Sequence, residues 1–195
     1  MADDGRDDRA LRESRVTDAR PSVVLIAGPA GAGKTTIAAR IAQHSDWIHL
    51  SEDEHWTRVK VGRPPGELRT TEEQDVVQRE VIDRMADAVA KGAHVALELI
   101  LYEDPPRPLQ QYQRALDARR LAYATRVLRP SVDELLRRIA TRGRSIEVAL
   151  PDLRAGIEHQ VGVLSSTHID RDWVINNENL SVDELYDRHF RSLVE

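Results

Sequence analysis

The chain has 195 residues, enough for about one domain with one substantial core. Its 41% hydrophobic and 31% charged residues fit a soluble globular protein, and a net charge of −5 gives no support to a nucleic-acid or membrane surface as the main partner. The lack of cysteine excludes disulfides, thiolate zinc sites and a cysteine nucleophile; with no apolar run long enough for a bilayer and no signal peptide, a cytoplasmic location is expected.

Residues 1–20 are dense in both charges and poor in large apolar groups, so a disordered leader is expected ahead of a single domain over 21–195. Val23 to Ala27 is a continuous apolar run of the kind a buried parallel strand shows. Gly28-Pro29-Ala30-Gly31-Ala32-Gly33-Lys34-Thr35 then fills every specified position of G-x-x-x-x-G-K-[ST]. The glycines let the backbone curl so that consecutive N–H groups from Ala30 through Thr36 point at one phosphate. Lys34 carries its charge toward the β- and γ-phosphates, and the Thr35 hydroxyl suits Mg²⁺. Thr36 to Ala42 has helical apolar spacing, so a helix N-terminus also faces the phosphates. The strand–loop–helix context predicts that the chain binds a nucleoside triphosphate.

Trp47 to Leu50 reads as a short strand ending in Ser51-Glu52-Asp53-Glu54, and residues 55–69, with Gly62, Pro64, Pro65 and Gly66, read as irregular. Thr70 and Thr71, with Glu73 and Gln74 three residues on, offer two overlapping capping boxes. The helix that follows runs to about Lys91, burying Val76, Val77, Val81, Ile82, Met85, Ala86 and Val89, and Gly92 ends it. Val95 to Leu101 is a near-continuous apolar strand interrupted by Glu98. A helix at 107–119, a strand at 122–128 and a helix capped by Ser131 and Glu134 come next. Residues 141–151 read as a loop, followed by a helix over 152–165, a strand over 173–176 and a terminal helix from Ser181.

Strands alternating with helices predict an α/β fold with a central parallel five-stranded sheet, helices on both faces and the P-loop at the carboxyl edge. Three features at that edge carry candidate chemistry. Asp53, with Glu52 and Glu54 as rivals, stands where an acceptor hydroxyl needs a base and Mg²⁺ needs oxygen ligands; a solvated strand-end turn is the alternative. Glu98 has the parity of Ala96 and Ile100, and a buried acid is rare unless paired or metal-bound. It reads as a Mg²⁺ ligand, a substrate contact or a satisfied structural carboxylate. Arg137, Arg138, Arg142 and Arg144 cluster at a helix end, with Arg138 and Arg142 on one face. Forked guanidinium groups suit phosphoryl oxygens in transfer, and a solvated basic helix end is the alternative.

With these residues the chain resembles the small P-loop kinases typified by shikimate kinase, gluconate kinase and chloramphenicol phosphotransferase, in layout over most of 22–178 and in sequence over short stretches only. The resemblance implies a three-layer P-loop fold with Asp53 orienting or deprotonating the acceptor, and with an arginine-bearing lid over about 138–151. Arg142-Gly143-Arg144 is similar to the lid of the chloramphenicol phosphotransferase type, with Gln160 belonging to it. It also implies adenine near the lid helix and the loop after the last strand, beside Asn176 and Asn177. The Ser-Glu-Asp-Glu segment matches no one family's signature, and no Gly-rich substrate signature follows the third strand.

Acceptor recognition is expected from about 54–75 and 98–112. Trp56, Arg58, Lys60, Arg63 and Arg69 combine an aromatic face with cations, and Tyr102, Glu103 and Arg107 lie just beyond the third strand. Ordinary loop decoration is the competing reading. The seven histidines show no metal spacing. The leading expectation is an ATP- and Mg²⁺-dependent kinase acting on a hydroxyl of a small molecule, with Lys34, Arg138 and Arg142 stabilising transferred charge. A nucleoside or nucleoside monophosphate kinase is the nearest rival. A nucleotide-dependent regulatory ATPase is the alternative of another class.

Overall fold

The computed structural model describes residues 20–59, 70–143 and 152–195, with 56–59 described by backbone alone. Five strands, β1 (Val23–Ala27), β2 (Trp47–Ser51), β3 (His94–Leu99), β4 (Tyr123–Leu128) and β5 (Val174–Ile175), form one sheet in the order β2-β3-β1-β4-β5. Every pairing is parallel. The helices are α1 (Lys34–Ile41), α2 (Glu52–Val59), α3 (Thr71–Ala90), α4 (Arg107–Ala118), α5 (Val132–Arg142), α6 (Leu153–Val163), α7 (Val182–His189) and α8 (Arg191–Val194), with a 3₁₀ turn at Arg171–Trp173.

β1 is central and buried throughout, and its side chains divide between two cores by the two-residue period of a strand. Val23, Leu25 and Ala27 join Val77, Val81 and Met85 of α3 and Leu109 and Tyr112 of α4 on one face. Val24 and Ile26 join Ile37 and Ile41 of α1, Leu135 and Ile139 of α5 and Tyr186 of α7 on the other. A sheet covered on both faces explains why β1 reads as an unbroken apolar run.

Four local expectations differ from what forms. Residues 52–59 are helical, because three acids in the first turn favour a helix N-terminus and no Gly or Pro interrupts before Gly62. Of the two overlapping capping boxes, Thr70 with Glu73 is the one that forms. Val76 is 50% exposed, since Val77, Val81 and Met85 define the inward stripe of α3 and Val76 lies off it. Ser131 caps α5 by accepting from Glu134 N–H, but the Glu134 carboxylate turns to Arg137 and Arg138 rather than back to the cap. The leader at 1–19 and the segments 60–69 and 144–151 lie outside the described residues. Among the described residues no helix is long and apolar enough to cross a membrane.

Candidate functional site

The P-loop leaves β1 and turns into α1 at the carboxyl edge of the sheet. At Gly28 a Cβ would come within 2.7 Å of the Leu128 carbonyl oxygen, so the close approach of β1 to β4 admits only glycine there. Gly31 has φ +79°, and a Cβ there would meet the Ile139 side chain and the Leu135 carbonyl at 3.0 Å. The loop therefore lies directly on α5. Gly33 caps α1 in the left-handed conformation. The first turn of α1 holds no acid, so its partial positive charge is available to an anion. Thr35 and Thr36 are exposed on that turn, while Lys34 is buried and its Nζ donates to the Pro29 carbonyl at 2.8 Å.

Glu98 pairs in register with Ile26 on one side and Ser51 on the other, which turns it toward α1. Its Oε2 accepts from the Thr35 hydroxyl at 2.7 Å, and its Oε1 accepts from His49 Nε2 at 3.1 Å. Burial, the largest influence, raises the Glu98 pKa. The hydrogen bonds from His49 and Thr35 and the Lys34 charge together outweigh it and hold the carboxyl below its ordinary value. The buried carboxylate is thus kept ionised beside the Thr35 hydroxyl. A hard cation such as Mg²⁺ takes oxygen ligands, commonly one or two carboxylates plus phosphate and water, and this pair fits that demand. Among the described residues no three metal-ligating side chains cluster, so phosphate and water oxygens would have to complete such a shell.

Arg138 links three parts of the donor side. Its guanidinium donates to the carbonyls of Ala32 at 3.4 Å, Asn177 at 3.0 Å and Glu178 at 3.2 Å, and its Nε donates to Glu134 at 2.6 Å. Asn177, buried, donates from Nδ2 to the same Ala32 carbonyl at 2.9 Å. Hydrogen bonds from Arg137 and then Arg138 lower the Glu134 pKa to about 2. Arg138 thus braces the P-loop against the loop after β5. Arg142 stands one turn further on, exposed at the end of α5, whose C-cap Gly143 is left-handed. Asn176 is exposed and its Oδ1 accepts from Glu178 N–H. Arg144 lies outside the described residues.

On the opposite side of the cleft, α2 starts directly after β2, beside the Glu98 register position. Asp53 and Glu54 are exposed on its first turn, whereas Glu52 is buried and faces Tyr112 of α4. Burial, followed by the Glu52 charge, pushes the Tyr112 hydroxyl well above its ordinary pKa. His55, fully buried, meets Glu80 at 3.4 Å and Arg84 at 3.1 Å, which ties α2 to α3. Arg107 pairs with Asp75 at 2.9 Å. Tyr102 is exposed and Glu103 half-buried on the segment after β3. The side chain of Trp56, and Arg63 and Arg69 entirely, lie outside the described residues.

Two contacts of the site were not legible beforehand. His49 sits among seven histidines without metal spacing, but it shares parity with Ser51, the residue in register with Glu98. That parity points to Glu98 only once the register of β2 with β3 is known. Gln160 of α6, which the resemblance assigned to the lid, accepts from the Ala30 N–H of the P-loop through Oε1 at 2.9 Å, and nothing in the local sequence of α6 announces that partner.

A family model described as AAA domain matches residues 23–159. Among solved structures, a gluconokinase from Sinorhizobium meliloti is 14% identical with a TM-score of 0.62, covering 90% of this chain and 90% of that one. A shikimate kinase from Acinetobacter baumannii, in complex with shikimate, is 16% identical with a TM-score of 0.60, over 90% and 93%. The APS kinase CysC of Mycobacterium tuberculosis is 15% identical with a TM-score of 0.62, over 90% and 99%. At these identities the likeness is one of fold, and the fold is that of the P-loop kinases. No curated protein matches the chain significantly.

Proposed function

We propose, from the premise that the chain belongs to the AAA domain family, that it is a kinase transferring the γ-phosphoryl group of ATP to a hydroxyl of a small molecule. The observation that carries this reading is the register of Ser51 with Glu98. It opens the acidic start of α2 directly beside the Thr35–Glu98 pair, so an acid for the acceptor and oxygen ligands for a metal share one end of the sheet. The P-loop kinase fold supports a nucleotide as donor.

In this reading the P-loop amides and the α1 N-terminus hold the phosphates, and Lys34 leaves the Pro29 carbonyl for the β- and γ-phosphates. Thr35 and Glu98 would hold Mg²⁺, which when bound neutralises charge on the phosphoryl oxygens. Asp53 accepts the acceptor's hydroxyl proton as the new O–P bond forms and the bond to the β-phosphate oxygen breaks, releasing ADP. Arg142 meets the transferred charge. Arg138, occupied by three carbonyls and Glu134, acts by holding the loop in shape rather than by touching the phosphoryl group.

An ADP-release screen tests the reading, with sugars and sugar acids, cyclic polyols, hydroxylated antibiotics, nucleosides and nucleoside monophosphates as acceptors. Release stimulated by one small-molecule class is expected. Slow hydrolysis that no small molecule changes, and that a protein partner raises, would replace this reading with a regulatory ATPase.

A further inference from the structure

We propose that His159 and Gln160 act as a two-residue clasp on α6, with Gln160 a positioning residue on the γ-phosphate side of the P-loop and His159 holding the acceptor-side loop. The donor–acceptor role of the clasp rests on the kinase reading above; its contact with the nucleotide loop does not.

Gln160 lies on the buried face of α6 with Ile157 and Val163, only 9% exposed, and its Oε1 accepts from Ala30 N–H at 2.9 Å. Pro29 has no N–H, so Ala30 is the first amide donor after Gly28. The N–H groups nearer α1 and the Lys34 side chain take the inner phosphates and the β/γ bridge. The Ala30 end of the loop is therefore the outer one, toward the group being transferred. A side chain from 130 positions away holds that amide in place.

The neighbouring residue reaches the other side. Successive side chains on a helix point about 100° apart. His159 Nε2 donates to the Tyr102 carbonyl at 2.8 Å, on the loop that follows β3. A second tie reinforces it: Ser166, just beyond α6, donates to Asp104 of the same loop. One helix thus fixes both the P-loop and the segment where an acceptor would rest, and positioning of this kind supplies much of the rate in phosphoryl transfer.

The choice of side chain fits the place. A carboxamide accepts the amide hydrogen without bringing charge near the phosphates. A glutamate would accept it equally well and add a repulsive charge where the γ-phosphate lies.

The test uses the full chain carrying Gln160→Ala, Gln160→Glu or His159→Ala, with fluorescent ATP and ADP analogues and amide hydrogen exchange. Gln160→Glu is expected to keep the wild-type melting temperature while lowering ATP affinity about fivefold more than ADP affinity. Gln160→Ala is expected to weaken both nucleotides about equally and to raise exchange in 28–34. His159→Ala should raise exchange in 101–106 and leave nucleotide affinity unchanged. An unchanged ATP-to-ADP ratio in a folded Gln160→Glu variant overturns the γ-side placement. Equal exchange in both loops for both alanine variants overturns the clasp. These readouts need no acceptor, so a failed ADP-release screen would sink the kinase reading and leave the nucleotide contact standing. Where the screen succeeds, His159→Ala should lower transfer relative to hydrolysis; an unchanged ratio overturns the donor–acceptor role.

Discussion

The P-loop and the side proposed for an acceptor are built in different ways. At the P-loop, one stretch of consecutive residues supplies the phosphate-facing amides, and the rest of the molecule holds that stretch in shape. Gly28 fits under Leu128, Gly31 lies on α5, and Arg138 and Asn177 both grip the Ala32 carbonyl. On the side proposed for an acceptor, separate elements, α2, α3, α4 and the loop after β3, meet through pairs such as His55–Glu80 and Asp75–Arg107. The difference is instructive. A phosphate is read by backbone amides, which a short motif can set. An acceptor is read by side chains, which only packing can bring together.

Replacing groups on each side sharpens this contrast. Lys34→Ala should give the largest effect, a loss of turnover of about 10²–10³-fold with the fold intact by circular dichroism. Full activity in that variant would dissolve the assignment of the donor side. Asp53→Asn should cost about 10²-fold in kcat with nucleotide affinity unchanged; a loss below about tenfold would remove it as the base. His49→Ala should weaken the magnesium dependence of nucleotide binding about tenfold, measured by titrating Mg²⁺ against the fluorescent ATP analogue. His49→Gln should restore part of it by donating to Glu98.

The smallest effect concerns the brace. Glu134 has a folded pKa of about 2 against an ordinary 4.5, so its contribution to stability is full above about pH 4.5 and is lost as pH falls toward 2. The melting temperatures of wild type and Glu134→Gln should therefore differ above pH 4.5 and converge toward pH 2. The gap should be modest because Arg137, one of its two partners, is exposed. A gap that widens on acidification would contradict the assigned pairing.

Much of the fold was legible because periodicity is a local property. Val23 to Ala27 announced a buried parallel strand, and the Thr70–Glu73 and Ser131 caps announced two helix starts. The helix at 52–59 was harder to read. Its residues are charged, its apolar pattern is slight, and the helix is favoured by acids at its start and by the buried His55. Glu98 was conspicuous as an acid within an apolar run, yet its partner His49 was hidden. A parallel register between strands nearly fifty residues apart cannot be counted from either one.

By itself the sequence determined the phosphate cradle and the layered α/β plan, since both follow from backbone conformation and short-range pattern. The tertiary structure decided what surrounds the cradle. It set Arg138 between the Ala32 carbonyl and the loop after β5, buried Glu52 against Tyr112 while leaving Asp53 exposed, and joined Gln160 to Ala30. Those outcomes depend on which helices cross which strand ends. Such contacts arise from burying two apolar faces of one sheet, and no local stretch of chain encodes them.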